Sequence, residues 1–255
     1  MTENRAAMSI APPRTVHCAD ALQWLREHPL VAGHALLTSL PDSTELRTLP
    51  LPRWRDWFVA TAEQVAAAAP PRSAAIFFQT DVHRDGRWVD KAFLVQQGAL
   101  AAGVQLLWHK IVCRAPAGTV TRGRPGYAHL LCFSRELGSD PAFASADVLP
   151  DLGPMAWPRG MGLCAAEVAV RWLRDAAGAH TLVAPFCGRG TALAVANALG
   201  LGAVGIERSP ARAEQARTLR VRLDAQPPAF VRAPLPPSAA SRPTPGGDGS
   251  EQPLP

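Results

Sequence analysis

Two closely spaced glycines, a hydroxyl after them and a carboxylate further on mark the stretch with the clearest chemical use. That stretch is Val183-Ala184-Pro185-Phe186-Cys187-Gly188-Arg189-Gly190-Thr191. It lies between an apolar strand signal, Thr181-Leu182-Val183, and a helical run from Thr191 to Leu199. Gly188 and Gly190 permit a tight strand-to-helix turn and a close backbone approach to a ligand. Ala203-Val204-Gly205-Ile206-Glu207 then reads as a second buried strand with a carboxylate at its end. An acid about twenty positions past such glycines can accept both hydroxyls of a ribose. The unit suits a nucleoside, although the glycine spacing by itself serves a helix-capping turn equally well.

The words around the glycines narrow the choice. Pro185-Phe186-Cys187-Gly188-Arg189-Gly190-Thr191 resembles the Asp-Pro-Phe-x-Gly-Ser-Gly-Thr motif of S-adenosylmethionine-dependent amino-methyltransferases. The resemblance implies S-adenosyl-L-methionine as cofactor, with the loop under its methionine part and the strand-end acid on its ribose. It assigns cofactor contacts to Pro185, Phe186, Cys187, Gly188, Gly190, Thr191 and Glu207. The motif's leading acid is Ala184 here, which removes a partner for the cofactor's ammonium group.

A second unit near the start carries the same likeness. Val16-His17-Cys18-Ala19-Asp20-Ala21-Leu22, followed by Leu36-Leu37-Thr38-Ser39-Leu40-Pro41-Asp42, resembles the G-D-a-L … T-S/D-P-P-Y unit of those enzymes. By that resemblance Asp20 and Thr38 join the cofactor contacts, and Ser39, Leu40, Pro41 and Asp42 form the catalytic turn. The turn precedes the glycine loop, an order similar to that of the circularly permuted β-class enzymes. The likeness spans Thr15 to Arg222. It implies an α/β fold: one Rossmann-like, doubly wound methyltransferase domain whose mostly parallel seven-stranded sheet includes an antiparallel ribbon.

The chemistry such a turn performs is specific. An exocyclic base nitrogen is a poor nucleophile because its lone pair is delocalised into the ring. The Ser39 hydroxyl and Leu40 carbonyl would accept its hydrogens and localise that pair. Pro41 stiffens the turn and holds Leu40 extended. Methyl transfer is then in line, and positioning does much of the work. The fourth position departs from the family, which has an aromatic residue where this chain has Asp42. Lost stacking weakens base binding by about 1–3 kcal/mol unless something replaces it. The carboxylate could accept from a ring N–H, act as a general base, or simply cap the turn. Tyr127 and Trp108 are the alternative stacking faces. Cytosine C5 methylation is disfavoured because no cysteine follows Pro41, and Cys18 and Cys187 read as small apolar fillers.

These units need elements to hold them. The first thirteen residues read as a loose arm. Ala21 to His28 is a helix capped by Asp20, and His34 to Thr38 is a strand. A helix from Pro52 to Ala69 stops at Pro70-Pro71, and Ala74 to Gln79 is a buried strand. Asp81 to Asp90 reads as a loop and Lys91 to Gly103 as a helix. Val104 to Cys113 and Tyr127 to Ser134 pair as an antiparallel ribbon. Glu136 to Pro158 is irregular, Met161 to Ala176 helical, and the last helix runs from Arg212 to about Arg222. The methyltransferase domain therefore covers 14–223. From Asp224 to Pro255 the composition turns to Pro, Ala, Ser and Gly, read as a disordered tail. The ribbon brings His109, Lys110, Arg122, Arg124, Tyr127 and His129 toward the substrate-facing end. That mixture suits a phosphate backbone with an unstacked base, and equally an ordinary solvated hairpin.

Composition bounds the rest. The chain has 255 residues, 47% of them hydrophobic, and a formal net charge of +5, which suits a polyanionic partner without requiring one. Five scattered cysteines show no C-x-x-C spacing, so neither a disulfide framework nor a metal site is expected. With no bilayer-length apolar run and no secretory leader, a cytoplasmic location is expected and no membrane partner. A nucleic acid is the expected partner. Lacking a large target-recognition insertion, the sequence favours a structured RNA, tRNA or rRNA, read by shape. An orphan DNA amino-methyltransferase and a degenerate RNA-binding subunit are the alternatives, with a homodimer or an accessory subunit left open. A dehydrogenase is disfavoured because G-x-G-x-x-G is absent.

Overall fold

The computed structural model describes residues 12–46, 48–225 and 228–231. Most of the expected arm and tail lies outside these residues.

The first half of the chain supplies β1 (Arg14–His17), α1 (Ala21–Glu27), β2 (His34–Thr38), α2 (Leu51–Ala67) and β3 (Ala74–Gln79). A hairpin of β4 (Val82–Arg84) and β5 (Arg87–Val89) follows, then α3 (Lys91–Ala101), β6 (Gln105–Cys113) and β7 (Tyr127–Ser134). The second half supplies β8 (Val148–Leu149), α4 (Leu163–Asp175), β9 (Thr181–Pro185), α5 (Thr191–Ala198), β10 (Gly202–Ile206) and α6 (Pro210–Thr218). A last ribbon joins β11 (Val221–Arg222) to β12 (Ala229–Phe230).

The main sheet has eight strands in the order β1-β10-β9-β2-β3-β7-β6-β8. The five strands from β1 to β3 are mutually parallel, and β7 runs against both β3 and β6. Strands covered on both faces read as continuous apolar runs, and this one does so in Ala35-Leu36-Leu37 and Ala74 to Phe78, all buried. Successive residues serve opposite layers. Leu37, Ile76 and Leu182 pack with α4, α5 and α6, whereas Leu36, Phe77 and Val183 pack with α1, α2 and α3. The helices present matching stripes: Trp54, Phe58, Ala62 and Val65 on α2, and Leu163, Ala166, Val170 and Leu173 on α4. Each such fully buried large side chain contributes roughly 1.5–3 kcal/mol.

Four expectations give way. The seven-stranded sheet gains an eighth strand, because β8 pairs with β6 inside the stretch read as irregular. The segment read as a loop from Asp81 to Asp90 is the β4–β5 hairpin, turning through Asp85 and Gly86 at positive φ. The last helix begins at Pro210 and ends at Thr218, earlier than expected at both ends. Within the supposed tail, Ala229 and Phe230 pair with Arg222 and Val221. No described helix is long and apolar enough to cross a membrane.

Candidate active site

The neighbours β9 and β2 send the chain in opposite directions. From β9 it passes through α5 to β10 on one side, and from β2 through α2 to β3 on the other. A crevice must open where such connections diverge, at the carboxyl ends of the strands. Here the two ends are tied together, with the Thr38 hydroxyl donating to the Pro185 carbonyl at 2.6 Å. A cavity of about 270 Å³ sits there, and both Ser39-Leu40-Pro41 and Gly188 line it. Two segments some 150 residues apart in sequence, by the separation of Ser39 and Gly188, thus share one crevice.

The glycine loop is held from two directions. Phe186, Gly188 and Gly190 all take positive φ, at 56°, 57° and 85°. For Phe186 that conformation costs of order 1–3 kcal/mol, which the surrounding contacts must offset. The Cys187 N–H donates to the Ile206 carbonyl at 3.0 Å, fixing the loop to the end of β10. One Glu207 oxygen accepts from the Gly188 N–H at 3.0 Å, and the other from the Ser209 N–H at 2.9 Å. Each oxygen keeps lone-pair capacity toward the cavity, so the carboxylate braces the loop and remains free to accept ligand hydroxyls. Gly190 also packs closely, since a Cβ there would lie 2.7 Å from the Ala216 Cα of α6. Gly190→Ala should lower stability by about 2–4 kcal/mol, combining left-handed strain with overpacking. Urea unfolding measures this, and an unchanged midpoint would contradict it.

Asp20, Thr38, Pro185, Phe186, Cys187, Thr191 and Glu207 also line this cavity, and Gly190 lies behind it against α6. Asp20 caps α1 through the Leu22 and Gln23 N–H groups, both at 3.0 Å. The Cys187 sulfur fills the space in front of Gly205, 2.9 Å from where a Cβ would sit. Burial, then Glu207, pushes its thiol up to about 12, so no thiolate is available as a nucleophile. Trp57 of α2 meets Phe186 edge-on at 6.5 Å and adds an aromatic wall. Ala184 is buried where the family has an acid, and Asp20, Glu45 and Glu207 are the acids lining the cavity.

Trp157, in the stretch read as irregular, closes one side. Arg189 lies 5.6 Å and Arg212 4.9 Å from the centre of its ring. Arg212 also pairs with Glu45 at 3.4 Å, linking α6 to the loop after the Ser39 turn. Nothing in the sequence pattern distinguished this tryptophan, because the cations that meet its ring come from the glycine loop and α6.

Ser39 and Leu40 also line a smaller cavity of about 40 Å³, together with Asp42, Asp81, Lys91, Arg114, Arg124 and Arg159. Asp42 Oδ1 accepts from the Thr44 N–H at 2.7 Å and its hydroxyl at 2.5 Å. Burial pushes this carboxyl up, but the Thr44 hydroxyl, Lys91, the Thr44 N–H and Arg159 outweigh it and hold it below its usual range. Asp42 is therefore an ionised turn cap facing a charged pocket.

Asp81 was missed in the sequence because it lay in an apparent loop. Its Oδ2 accepts from Trp88 Nε1 and faces His129 Nε2, both at 3.1 Å, and its Oδ1 accepts from the Lys91 N–H at 2.8 Å. Burial raises this carboxyl too, and the bond and charge of His129 overcome it. The second His129 nitrogen is 2.9 Å from His109 Nε2. Tyr127 meets His129 edge-on at 5.3 Å and stacks on Trp88 at 6.4 Å. His109, Tyr127 and His129 do come together, organised by Asp81 and the hairpin. Asp81, Asp90 and His129 place ligand-type atoms within 4.8 Å of one another, but hydrogen bonds engage all three.

Two expectations fail here. Lys110 is buried and donates to the Ser145 carbonyl at 2.9 Å, so it anchors the segment before β8 and is not placed to meet phosphate. Trp108 packs edge-on against Trp172 of α4 at 5.5 Å, which removes it as a stacking face for substrate. Arg122 is exposed in the loop before β7, and Arg124 lines the smaller cavity while donating to the Pro158 carbonyl at 3.2 Å.

Comparison with known structures adds the architecture's identity. A cytosine-N4-specific PvuII DNA methyltransferase superposes with a TM-score of 0.65 at 15% identity, covering 80% of this chain and 85% of that one. A provisionally assigned DNA modification methylase from Thermus thermophilus, crystallised with S-adenosyl-L-methionine, gives 0.61 at 21% identity, covering 80% and 91%. The M1.HpyAVI complex with its SAM ligand gives 0.53 at 14% identity, covering 80% and 97%. The fold is that of the Rossmann-like methyltransferases. By sequence, no protein family and no curated protein matches the chain.

Proposed function

We propose that this protein is an S-adenosylmethionine-dependent methyltransferase acting on an exocyclic amino group of a nucleic-acid base. The observation that carries the reading is the shared crevice: Ser39-Leu40-Pro41 and the glycine loop line one cavity, at strand ends joined by the Thr38–Pro185 bond. The cavity's donor set fits the cofactor at the ribose, through Glu207, and at the apolar walls, through Phe186 and Trp57. The fit departs from the family at Ala184, and the other acids lining the cavity besides Glu207 are Asp20, which caps α1, and Glu45, which pairs with Arg212. The chain order, with the Ser39 turn before the glycine loop, supports the permuted class.

When bound, S-adenosyl-L-methionine would supply an electrophilic methyl group to the acceptor nitrogen's lone pair, with the C–S pair left on its sulfur and the nitrogen's proton lost to water. Ser39 and the Leu40 carbonyl accept the amine's hydrogens and aim its lone pair. Pro41 holds that geometry, and the Thr38 bond fixes its distance from the glycine loop.

DNA now stands ahead of RNA as the substrate. The preference for RNA rested on the lack of a large recognition insertion, and two of the similar structures named above are described as a DNA modification methylase and a DNA methyltransferase. The degenerate-subunit reading keeps two supporting observations, the alanine at position 184 and the use of Asp42 as a turn cap. Labelled methyl transfer to duplex DNA and to bulk RNA, in parallel with calorimetric titration of S-adenosylhomocysteine, tests the proposal. Labelled DNA with saturable binding supports it; labelled RNA alone would reverse the polymer, and no binding at all would favour the subunit.

A further inference from the structure

The loop from Arg114 to Gly126, which joins β6 to β7, carries three arginines and no acidic residue. Its neck is closed by the Arg114 N–H, which donates to the Gly126 carbonyl at 2.8 Å, and both Arg114 and Arg124 reach the wall of the smaller cavity. Arg124 in turn donates to the Pro158 carbonyl at 3.2 Å, which holds the next residue, Arg159, on the same wall. Arg114 is half-buried, and the influences on its guanidinium are burial and the charge of Arg124, both acting against the protonated form. None of the ion pairs among the described residues engages Arg114, Arg124 or Arg159.

The carboxylates nearby do not answer these charges. Asp42 is held by Thr44, Asp81 by the Lys91 N–H, Trp88 and His129, and Glu45 by Arg212. All three also act on the buried Lys91 ammonium. Asp42 feels Arg159 as well, which leaves Arg114 and Arg124 as the uncompensated pair. Like charges held together away from bulk water are costly unless an anion joins them. Two guanidinium forks facing one space match the non-bridging oxygens of a phosphate, which each can grip in bidentate fashion. A cavity of about 40 Å³ has room for about three water-sized atoms, enough for the oxygens of one phosphate and too little for a base. Ser39 and Leu40 line this cavity as well as the larger one, so an anion held here lies beside the turn proposed to receive the amine.

We propose that Arg114, Arg124 and Arg159 form a phosphate-binding subsite in the smaller cavity, which takes a backbone phosphodiester of the nucleic-acid strand and sets the target nucleotide against the Ser39 turn. This inference rests on the methyltransferase reading above and deepens it by naming where the backbone is gripped. A phosphate contact carries no sequence information, so it acts on binding and register and not on the choice of base. The three arginines are positioning residues.

Arg114→Met removes one uncompensated charge and keeps the length of the side chain. With the polymer that the unaltered protein labels, its KM should rise about 10- to 100-fold, while kcat changes by less than about three-fold. The slope of log binding constant against log salt concentration should fall in magnitude by about 1, because one fewer counterion is released. S-adenosylhomocysteine affinity should be native, and the melting temperature native or higher, since a repulsion is relieved. Arg114→Lys should keep the salt slope and recover part of the KM. Native KM and salt slope in Arg114→Met, beside active unaltered protein, would overturn the subsite and leave the methyltransferase reading standing. A lowered melting temperature with an unchanged salt slope would assign Arg114 to packing and overturn it equally. If Arg114→Met does not fold, Arg124→Met decides by the same slope. Methyl transfer to neither DNA nor RNA would overturn both readings.

Discussion

Glu207→Ala is expected to weaken S-adenosylhomocysteine binding by about 10²–10⁴-fold, as two hydrogen bonds to a charged acceptor are lost at roughly 1.5–3 kcal/mol each. The carboxylate sits at the end of β10, where the strand hands over to α6, so its backbone is fixed by pairing. Its own N–H donates to the His17 carbonyl at 3.1 Å, and its carbonyl accepts from Ala19 at 3.3 Å. Its oxygens meanwhile brace Gly188 and Ser209. The substitution therefore removes the proposed ribose acceptors and also leaves two loop N–H groups without partners. Glu207→Gln separates these effects. Its one amide oxygen can still accept from a loop N–H, so it should fold like the native protein and still lose much of the affinity. Isothermal titration measures the affinity and thermal unfolding the stability. Native affinity in Glu207→Ala would show that the ligand does not lie against β10.

Ser39→Ala is expected to reduce methyl transfer by about 10²-fold while cofactor binding stays within about two-fold, the pattern of an interaction realised only at the transition state. Ser39 follows β2 directly, and the bond from its neighbour Thr38 to Pro185 sets its distance from the glycine loop. Alanine preserves the backbone and the Leu40 carbonyl, so one of the two proposed acceptors for the amine remains. Single-turnover rates with saturating cofactor give the chemical step, and equilibrium titration gives the binding. Equal loss in both would place Ser39 in the cofactor site, and native turnover would exclude it from the reaction.

Much of the frame was legible because local signals agreed with the final packing. β2, β3 and β7 occupy the residues their apolar runs marked out, since a strand buried on both faces has few other ways to satisfy an all-apolar sequence. Asp20 and the glycine loop announced their turns through chemistry that acts within a few residues. The β4–β5 hairpin was hidden for the opposite reason. Its strands are three residues each, too short for periodicity to show, and it is held by Trp88 reaching back to Asp81. Lys110 and Trp108 misled because a cation and an indole look alike on a surface and in a core. Only the packing of α4 and the segment before β8 told them apart.

The sequence by itself determined the two turns, the order in which they occur and the residue types each could bring to a nucleoside and an amine, because those properties depend on neighbours along the chain. The tertiary structure decided that the turns meet at adjacent strand ends, that Asp42 is an ionised cap, that Trp157 lines the larger cavity and that Asp81 and Lys91 line the smaller one. Those facts depend on charge, burial and hydrogen bonding between groups that only the folded sheet brings together.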